Sequence, residues 1–498
     1  MKLRYYQNKI IKETELKLKT QDKIIIALGM GGGKSLIITE LTKRYIEEGK
    51  SVVILVNITE LIPQLEEYFK DNNILYNLIK SNEEINNQDS KVNLIMEQSF
   101  HEKKRQHKKI KCDILIKDEF HIGYGGKRYT EIMEDLKPNK IIGLSGTPYD
   151  ENGFLLNSFE KKDLITYGST YELTKKKYLT PLKYYIPEWT VKIDYTNIKS
   201  TNDYITNELD KKINTNNHNK LIVESMNKMN AKNKKTLVYC NSIEHVNNIV
   251  KKLKEEGYNV KGIHSKKTKE ENKETIEKFD LDNDGIDCLV SVSKLTTGFN
   301  KPQAELLVLC RPTKILRLYL QIIFRVARLN PGKKNGEILD LAQCVSYHGF
   351  GTKQPLYISS TNNKEKKREI RIKNKVENIL NLEALKELTK TKKETTEIKE
   401  KDILVKIKEI RIKNVNITQT RTNELITIFE NSWDIELIIG IKYELLKRIK
   451  DIQYTKEEVI YKIEETKEEM NKIEDKEVFL KQIKDKNRKQ IKEQNLVK

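Results

Sequence analysis

A glycine-rich turn between an apolar run and a helix-like segment constrains this chain more than any other feature. Residues 24–28 are Ile-Ile-Ile-Ala-Leu, and Lys34-Ser35 open the helix-like segment; the glycines between them are Gly29, Gly31, Gly32 and Gly33. Glycine lets backbone N–H groups approach an anion closely, and a helix N-terminus favours the same negative charge. The order of strand, glycines, Lys-Ser and helix therefore predicts a phosphate-binding loop rather than a turn with an incidental lysine.

Three polar residues in and before this loop have expected roles in binding ATP and Mg²⁺. Lys34 would reach the β- and γ-phosphates, and the Ser35 hydroxyl would ligate Mg²⁺. Gln7 precedes the loop in an aromatic, helix-like segment, and its amide can both donate and accept hydrogen bonds, as the edge of adenine requires. The alternative for Gln7 is an ordinary surface glutamine.

Two carboxylates, Asp118 and Glu119, follow the apolar run at residues 112–117. At the end of a strand the chain turns, so that both side chains can face one site. We expect Asp118 to hold Mg²⁺ and Glu119 to polarise the water that attacks the γ-phosphate. A further apolar run ends at Ser145 and Thr147, whose hydroxyls are expected to bond the carboxylate cluster and sense the phosphate.

Composition indicates a multidomain protein with a polyanionic partner. The 498 residues predict two to four domains, and the net charge of +20 favours nucleic acid, although an AT-rich genome alone can enrich lysine. No run of about 18 apolar residues occurs, so we expect a cytoplasmic protein without a membrane partner. No zinc site is expected because CxxC spacing is lacking among Cys112, Cys240, Cys288, Cys310 and Cys344.

Apolar runs alternating with helix-like segments continue to about residue 341, which predicts α/β architecture with parallel sheets. Thr59 and Ser242 each follow a predicted strand and are plausible N-caps for the next helix. Beyond about residue 355 the sequence becomes a charged, amphipathic pattern typical of helices.

The sequence resembles the superfamily 2 helicases and translocases over roughly residues 1–350. The matching pieces are Gln7, the loop at 28–35, Asp118-Glu119-Phe120-His121 as a DExH box, and the segment 145–148. Leu28 stands where a strict phosphate loop has glycine, which this family tolerates. The resemblance is to the DExH group that includes phage branch-migration helicases and restriction-system motors, and it adds His121 to the expected nucleotide-site residues.

The resemblance also assigns roles in the second half. The loop at 293–302 would touch the nucleic-acid backbone through a threonine, Thr296 or Thr297, and help to close the ATP site around Gly298; Asn300 replaces the usual Asp. Residues 321–328 match the arginine-finger helix QxxGRxxR except that Phe324 replaces the usual Gly, so Gln321, Arg325 and Arg328 become candidate catalytic residues. Both arginines would share one helix face. Thr59 and Ser242 join the candidate nucleic-acid contacts.

The resemblance implies two tandem RecA-like, P-loop NTPase domains, residues 1–185 and 186–355, followed by a helical accessory region at 356–498. The expected function is an ATP-dependent DNA helicase or translocase acting on single-stranded or branched DNA. The alternatives are an RNA helicase and an ATP-switched clamp that recruits partners. The helical C-terminus would grip nucleic acid or dock a protein.

Overall fold

The computed structural model describes residues 3–29, 31–57, 61–80, 83–85, 87, 89–102, 110–148, 156, 159–167, 170–195, 198, 203–280, 285–292, 301–351, 396–398, 465–466, 482–483 and 485. The chain divides into two compact units, residues 1–400 and 401–498. The first unit contains two successive α/β lobes, called lobe 1 and lobe 2 below. The described residues of the second unit are helical.

Lobe 1 is built on an eight-stranded sheet in the order β4-β3-β5-β2-β6-β7-β1-β8. Every pair of neighbours is parallel except β3 and β4. The strands are β1 (Lys23–Ala27), β2 (Val52–Val56), β3 (Asn77–Lys80), β4 (Glu83–Ile85), β5 (Val92–Met96), β6 (Ile114–Lys117), β7 (Lys140–Ser145) and β8 (Leu164–Thr166). All five residues of β2 are buried, as its continuous apolar run predicts for a strand covered on both faces.

The described helices of lobe 1 carry apolar residues at helical spacing and pack them against the sheet. They are α1 (Tyr5–Lys17), α2 (Lys34–Glu47), α3 (Leu61–Asp71), α4 (Glu97–Glu102), α5 (Lys127–Leu136) and α6 (Thr170–Lys175). Ile10 and Ile11 of α1 and Ile37 and Leu41 of α2 belong to one core with the central strands. This core fixes α2, and with it the turn that connects β1 to α2.

Lobe 2 is built on a seven-stranded sheet in the order β11-β12-β10-β13-β14-β9-β15. Its strands are β9 (Leu182–Ile186), β10 (Thr236–Tyr239), β11 (Val260–Ile263), β12 (Cys288–Ser291), β13 (Leu306–Leu309), β14 (Gly336–Asp340) and β15 (Thr396–Ile398). All neighbours are parallel except β15, which runs antiparallel to β9. The two tandem parallel sheets confirm the predicted fold class.

Two boundaries differ from the sequence-based expectation. The expected domain boundary puts residues 182–185 in the first domain, but they belong to β9, which pairs with β14 of lobe 2. The expected helical region includes residues 396–398, but they form β15. Both differences have one cause: short strands are defined by distant pairing partners, which local sequence pattern does not reveal.

Three of the described helices of lobe 2 begin at a side-chain N-cap. The described helices are α7 (Glu188–Val191), α8 (Thr206–Ile213), α9 (Asn216–Lys228), α10 (Ile243–Glu255), α11 (Lys269–Lys278), α12 (Leu316–Ile323) and α13 (Cys344–His348). Thr215, Ser242 and Thr268 accept hydrogen bonds from the first turns of α9, α10 and α11. The predicted N-cap at Ser242 is thereby confirmed, whereas Thr59 lies outside the described residues.

Among the residues that the structure describes, no helix is long and apolar enough to span a membrane. Within the same ranges, no group of three or more His, Cys, Asp or Glu side chains is arranged to hold a metal ion. All five cysteines are buried as free thiols.

Candidate active site

The glycine-rich turn between β1 and α2 has the conformation that only glycine adopts without strain. Gly31 and Gly33 have φ angles of +78° and +79°, and Gly33 is the residue that precedes the first turn of α2. A β-carbon at Gly31 would lie 2.7 Å from Cδ2 of Leu179. The turn therefore approaches its neighbours closely and presents the N-terminus of α2, which begins at Lys34, to the carboxyl edge of the sheet.

Tyr6 and Gln7 of α1 both donate hydrogen bonds to the backbone of this turn. Tyr6 donates its hydroxyl to the carbonyl of Gly32 at 2.6 Å, and Gln7 Nε2 donates to the same carbonyl at 3.1 Å. The other end of the Gln7 amide, Oε1, accepts the backbone N–H of Arg4 at 2.9 Å. Gln7 is almost fully buried, so here it supports the phosphate loop, and its contact with adenine remains a prediction.

Asp118 and Glu119 follow β6 directly, and Lys34 reaches both. Lys34 Nζ donates to Glu119 Oε1 at 2.6 Å and lies 3.9 Å from Asp118 Oδ1. Glu119 has a φ angle of +44°, a left-handed backbone that a non-glycine residue rarely adopts. The strand end therefore turns sharply and directs both carboxylates toward the glycine-rich turn, as the sequence predicts.

Burial and charge act in opposite directions on this cluster. Burial raises the pKa of Asp118 to about 6, although the Lys34 ammonium opposes the shift. Burial also disfavours the charged forms of Glu119 and Lys34, but their mutual attraction outweighs it, lowering the pKa of Glu119 and raising that of Lys34. The pair is thus held ionised, and the Glu119 carboxylate competes with any phosphate for the Lys34 ammonium.

Asp118 and Ser35 each offer an oxygen of the kind that binds a divalent cation such as Mg²⁺. Asp118 Oδ1 is buried and accepts no hydrogen bond within the described ranges, since Lys34 at 3.9 Å is too distant. Ser35 lies in the first turn of α2 and is also buried. Carboxylate and hydroxyl oxygens are the ligands that this cation prefers. An orphaned carboxylate oxygen beside a phosphate loop is therefore suited to metal binding.

His121 connects the carboxylates to the segment after β7. Its Nδ1 lies 2.7 Å from Ser145 Oγ, and the backbone N–H of Thr147 donates to that same Oγ at 2.9 Å. Burial lowers the pKa of His121 to about 3, so the ring is neutral and its 3.5 Å approach to Glu119 is not an ion pair. His121 thus connects Glu119 with Ser145 and Thr147, so that a movement of the Glu119 side chain would displace the histidine and, with it, these two residues.

Arg325 and Arg328 lie in a turn, not on the predicted helix. Helix α12 ends at Ile323, and the next residues make shorter-range bonds, from Arg325 N to Ile322 O at 3.1 Å and from Ala327 N to Phe324 O at 3.3 Å. The prediction that both arginines share one helix face is therefore wrong. We call residues 324–328 the arginine turn; its carbonyls bond to partners outside α12.

The arginine turn brings lobe 2 to the carboxylates of lobe 1. Burial lowers the pKa of Arg325, whereas its attraction to Glu119 opposes the shift. The same guanidinium charge also acts on Lys34. Arg328 is partly buried close to Arg325, and burial followed by the repulsion between the two guanidinium groups lowers its pKa. The charges of Lys34 and Glu119 in lobe 1 and of Arg325 in lobe 2 therefore lie near enough to act on one another.

The remaining predicted residues are not placed in this cluster. Gln321 lies in α12, and no hydrogen bond joins its side chain to Asp118 or Glu119 in the described part of the chain. Thr59, Thr296, Thr297 and Gly298 lie outside the described residues. Ser242 caps α10 by accepting the backbone N–H of His245 at 3.0 Å, and its contact with nucleic acid remains a prediction.

The roles of three residues near the site are not predicted from the sequence. Lys117, at the end of β6, is fully buried and pairs with the buried Glu97. Thr180 and Lys333 bond to carbonyls of the arginine turn. A lysine within an otherwise apolar strand is a signal that was available for Lys117, because a buried ammonium needs a partner.

Two sequence families match the chain in the regions of the two lobes. The family described as "Type III restriction enzyme, res subunit" matches residues 1–150, and that described as "Helicase conserved C-terminal domain" matches residues 217–330. The "51.5 kDa protein" of a Lactococcus phage (isolate 7-9) is 28% identical over 325 residues, 64% of this chain and 65% of that protein. "Putative helicase 22" of a Sulfolobus islandicus filamentous virus is 27% identical, over 68% of this chain and 64% of its own length.

A yeast relative and two solved structures complete the comparison. "Putative ATP-dependent helicase IRC3" of Saccharomyces cerevisiae is 26% identical over 68% of this chain and 51% of its own length. A structure titled as a putative HsdR subunit fragment from Vibrio vulnificus YJ016 has a TM-score of 0.54 at 19% identity, covering 70% of this chain and 65% of that one. The type ISP restriction-modification enzyme LlaBIII bound to DNA gives 0.53 at 13% identity, covering 93% and 40%. At these identities the likeness shows the fold alone, and the chain spans less than two thirds of each relative.

Proposed function

We propose that this chain, which carries the paired helicase domains of superfamily 2, couples ATP hydrolysis to movement along DNA. The observation that carries the proposal is the contact between Lys34 and Glu119 of lobe 1, on both of which the charge of Arg325 in lobe 2 acts. Hydrolysis of a phosphoanhydride needs a cation on the phosphates, a group that orients water, and positive charge for the transition state. The two lobes together supply all three.

ATP binding would begin with an exchange of partners at Lys34. The γ-phosphate attracts the ammonium more strongly than one carboxylate does, so Lys34 leaves Glu119, which can then orient the attacking water. Arg325 stabilises the charge that develops on the transferred phosphoryl group. Asp118 and Ser35 would hold Mg²⁺, which supplies charge neutralisation at the β- and γ-phosphate oxygens when bound.

Hydrolysis would then change the separation of the lobes. Once the γ-phosphate has left, Lys34 can return to Glu119 and the attraction for Arg325 weakens, so that the cleft opens. The contact from His121 to Ser145 lies beside Glu119 and transmits the change within lobe 1. If each lobe holds one strand through phosphate contacts, every cycle advances the protein along it.

DNA is the proposed substrate and RNA the alternative. The DExH box at 118–121 and the Thr297-Gly298-Phe299 sequence favour DNA. One of the structural neighbours was solved bound to DNA. A cytoplasmic location and a protein partner for the C-terminal region belong to the same proposal. An ATP-switched clamp is the other alternative, and the presence of Glu119, Arg325 and Arg328 favours a hydrolytic enzyme over it.

The test is ATPase activity of the full chain with Mg²⁺, measured alone and with single-stranded DNA, duplex DNA, branched DNA and RNA of matched length. We expect stimulation by DNA above that by RNA. Lys34→Ala and Glu119→Gln should lose turnover and still bind the strand. If RNA stimulated the ATPase as strongly as DNA does, the assignment of DNA as the preferred substrate would be wrong. ATP binding without stimulated turnover would favour the clamp. Hydrolysis retained by both variants would overturn the site assignment.

A further inference from the structure

Three consecutive residues connect the two lobes, and the first two contact different parts of the active site. These residues, Leu179, Thr180 and Pro181, are called the linker here. Leu179 belongs to the core of lobe 1 and packs so closely on Gly31 that a β-carbon there would lie 2.7 Å from it. Pro181 accepts the backbone N–H of Gly336 at 2.8 Å, at the start of β14 in lobe 2.

Thr180, the middle residue of the linker, binds the arginine turn twice. Its backbone N–H donates to the carbonyl of Ala327 at 2.7 Å, and its hydroxyl donates to the carbonyl of Arg328 at 3.0 Å. Thr180 is almost fully buried, so water does not compete for these carbonyls. The linker thus packs against the phosphate loop with one residue and bonds to the arginine turn with the next.

Lys333 holds the other side of the same turn. Its ammonium donates to three backbone carbonyls, those of Arg328 at 3.0 Å, Pro302 at 2.9 Å and Ala304 at 2.6 Å. A charged donor makes hydrogen bonds about twice as strong as a neutral one. The Arg328 carbonyl therefore accepts hydrogen bonds from both the Thr180 hydroxyl and the Lys333 ammonium. These bonds fix the arginine turn between the linker and the segment that precedes β13.

We propose that Thr180 and Lys333 are positioning residues that set the arginine turn according to the state of the phosphate loop. This rests on the proposed ATPase. When a phosphate occupies the loop, any movement of Gly31 is passed to Leu179 by direct packing and to Arg328 by the adjacent Thr180. Phosphate binding and arginine placement are then parts of one motion.

The backbone groups of the arginine turn have different partners from those of an α-helix. An α-helix would use the carbonyls of residues 321–324 for the N–H groups of residues 325–328, and it would align Arg325 with Arg328. Bonds from Thr180 and Lys333 hold the carbonyls of Ala327 and Arg328 in the turn instead. Catalytic geometry is demanding, because a displacement of about 1 Å costs about 100-fold in rate.

Four variants of the full chain test this role. Thr180→Val removes the hydroxyl at nearly constant shape, Thr180→Ser restores a hydroxyl, Lys333→Met removes the ammonium, and Lys278→Ala removes an exposed lysine paired with Glu274 as a control. We expect Thr180→Val to lower kcat by about 3- to 10-fold and Lys333→Met by about 10- to 100-fold. KM for ATP and the Kd of a fluorescent ADP analogue should stay within about 2-fold, with Thr180→Ser and the control close to the native chain.

A double-mutant cycle separates positioning from simple support of the fold. If Thr180 acts through the arginine turn, Thr180→Val should lower kcat by less than about 2-fold in an Arg328→Lys background. A purely structural role predicts losses that multiply. Hydrogen exchange of the peptide at 320–330 is a second readout: a non-hydrolysable ATP analogue should slow it in the native chain and much less in Thr180→Val.

The outcomes distinguish this proposal from the one on which it rests. A native chain without ATPase activity would overturn the proposed function. A normal native ATPase with an unchanged kcat in Thr180→Val, with multiplying losses, or with ADP affinity falling in step with kcat would overturn the positioning role alone.

Discussion

Replacing Glu119 by glutamine removes the negative charge to which Lys34 is bound. The two side chains are 2.6 Å apart and only 14% and 11% exposed. A hydrogen bond to a charged group contributes about 1.5–3 kcal/mol; the ammonium–carboxylate bond lies at the upper end of this range, and a bond from the same ammonium to a neutral amide lies at the lower end. In the proposed mechanism ATP displaces Lys34 from this contact, so the Glu119→Gln variant should release the lysine at a cost lower by about 1–1.5 kcal/mol.

That difference predicts opposite effects on binding and turnover. ATP should bind roughly 5- to 10-fold more tightly to Glu119→Gln, since 1.4 kcal/mol is tenfold in Kd. Turnover should fall by about 10²- to 10⁴-fold, because the amide cannot accept a proton from water. Equilibrium binding of a fluorescent ATP analogue and single-turnover hydrolysis measure the two effects separately.

A matched carboxylate-to-amide change provides the control. Glu160 is exposed and pairs with Lys162 at the surface, so Glu160→Gln should change neither quantity by more than about 2-fold. Weaker ATP binding by Glu119→Gln would show that the Lys34–Glu119 contact does not oppose nucleotide binding. Hydrolysis within 10-fold of the native rate would remove Glu119 from its catalytic role.

Three further perturbations have definite expected outcomes. Ser145→Ala removes the hydroxyl 2.7 Å from His121 Nδ1, so strand displacement should fall about 10-fold while ATPase changes less than about 3-fold, measured on one preparation. Gly143→Ala places a β-carbon 2.5 Å from the Phe120 ring and should lower the free energy of unfolding in urea by about 1–3 kcal/mol; an unchanged midpoint would contradict this packing. Burial lowers the pKa of His218 from 6.5 to about 4, so protonation of the unfolded chain should cost about 2 kcal/mol of stability as the pH falls from 7 to 5. Thermal unfolding of His218→Phe should depend less steeply on pH in this window, and an equal dependence would exclude the histidine as its source.

Features that depend on local pattern could be predicted from the sequence. The continuous apolar run of β2 identifies a strand buried on both faces, and the structure has it at the centre of the parallel sheet. Lys34 and Glu119 are 85 residues apart, yet the sequence predicts one nucleotide site for both, because each follows the end of an apolar strand in a strand-then-helix pattern. A recurring strand-then-helix order therefore determines both the fold class and the side of the sheet on which a site lies.

Features that depend on distant partners could not be predicted in this way. The sequence of residues 321–328 has helical spacing, but α12 stops at Ile323, and carbonyls beyond it bond to Thr180, 148 residues away, and to Lys333. The sequence of residues 321–328 does not indicate which distant residues will donate hydrogen bonds to these carbonyls. Lys117 is similar: its position in β6 demands a counter-charge, but only the fold identifies Glu97 as the residue that supplies it.

The pairing of β15 with β9 determines when lobe 2 can finish folding during synthesis. Thr396 pairs with Ile186, some 210 residues earlier. The first strand of lobe 2 to be synthesised, β9, therefore cannot complete its pairing until the last one, β15, has been synthesised. In the described part of the chain, the last strand of the lobe 1 sheet is β8, which ends at Thr166. Lobe 1 can therefore fold while lobe 2 is still being made, whereas the outer edge of β9 stays open until residue 398 emerges. An unpaired edge invites association between nascent chains, so a chain cut after residue 355 should aggregate even though both helicase domains are present.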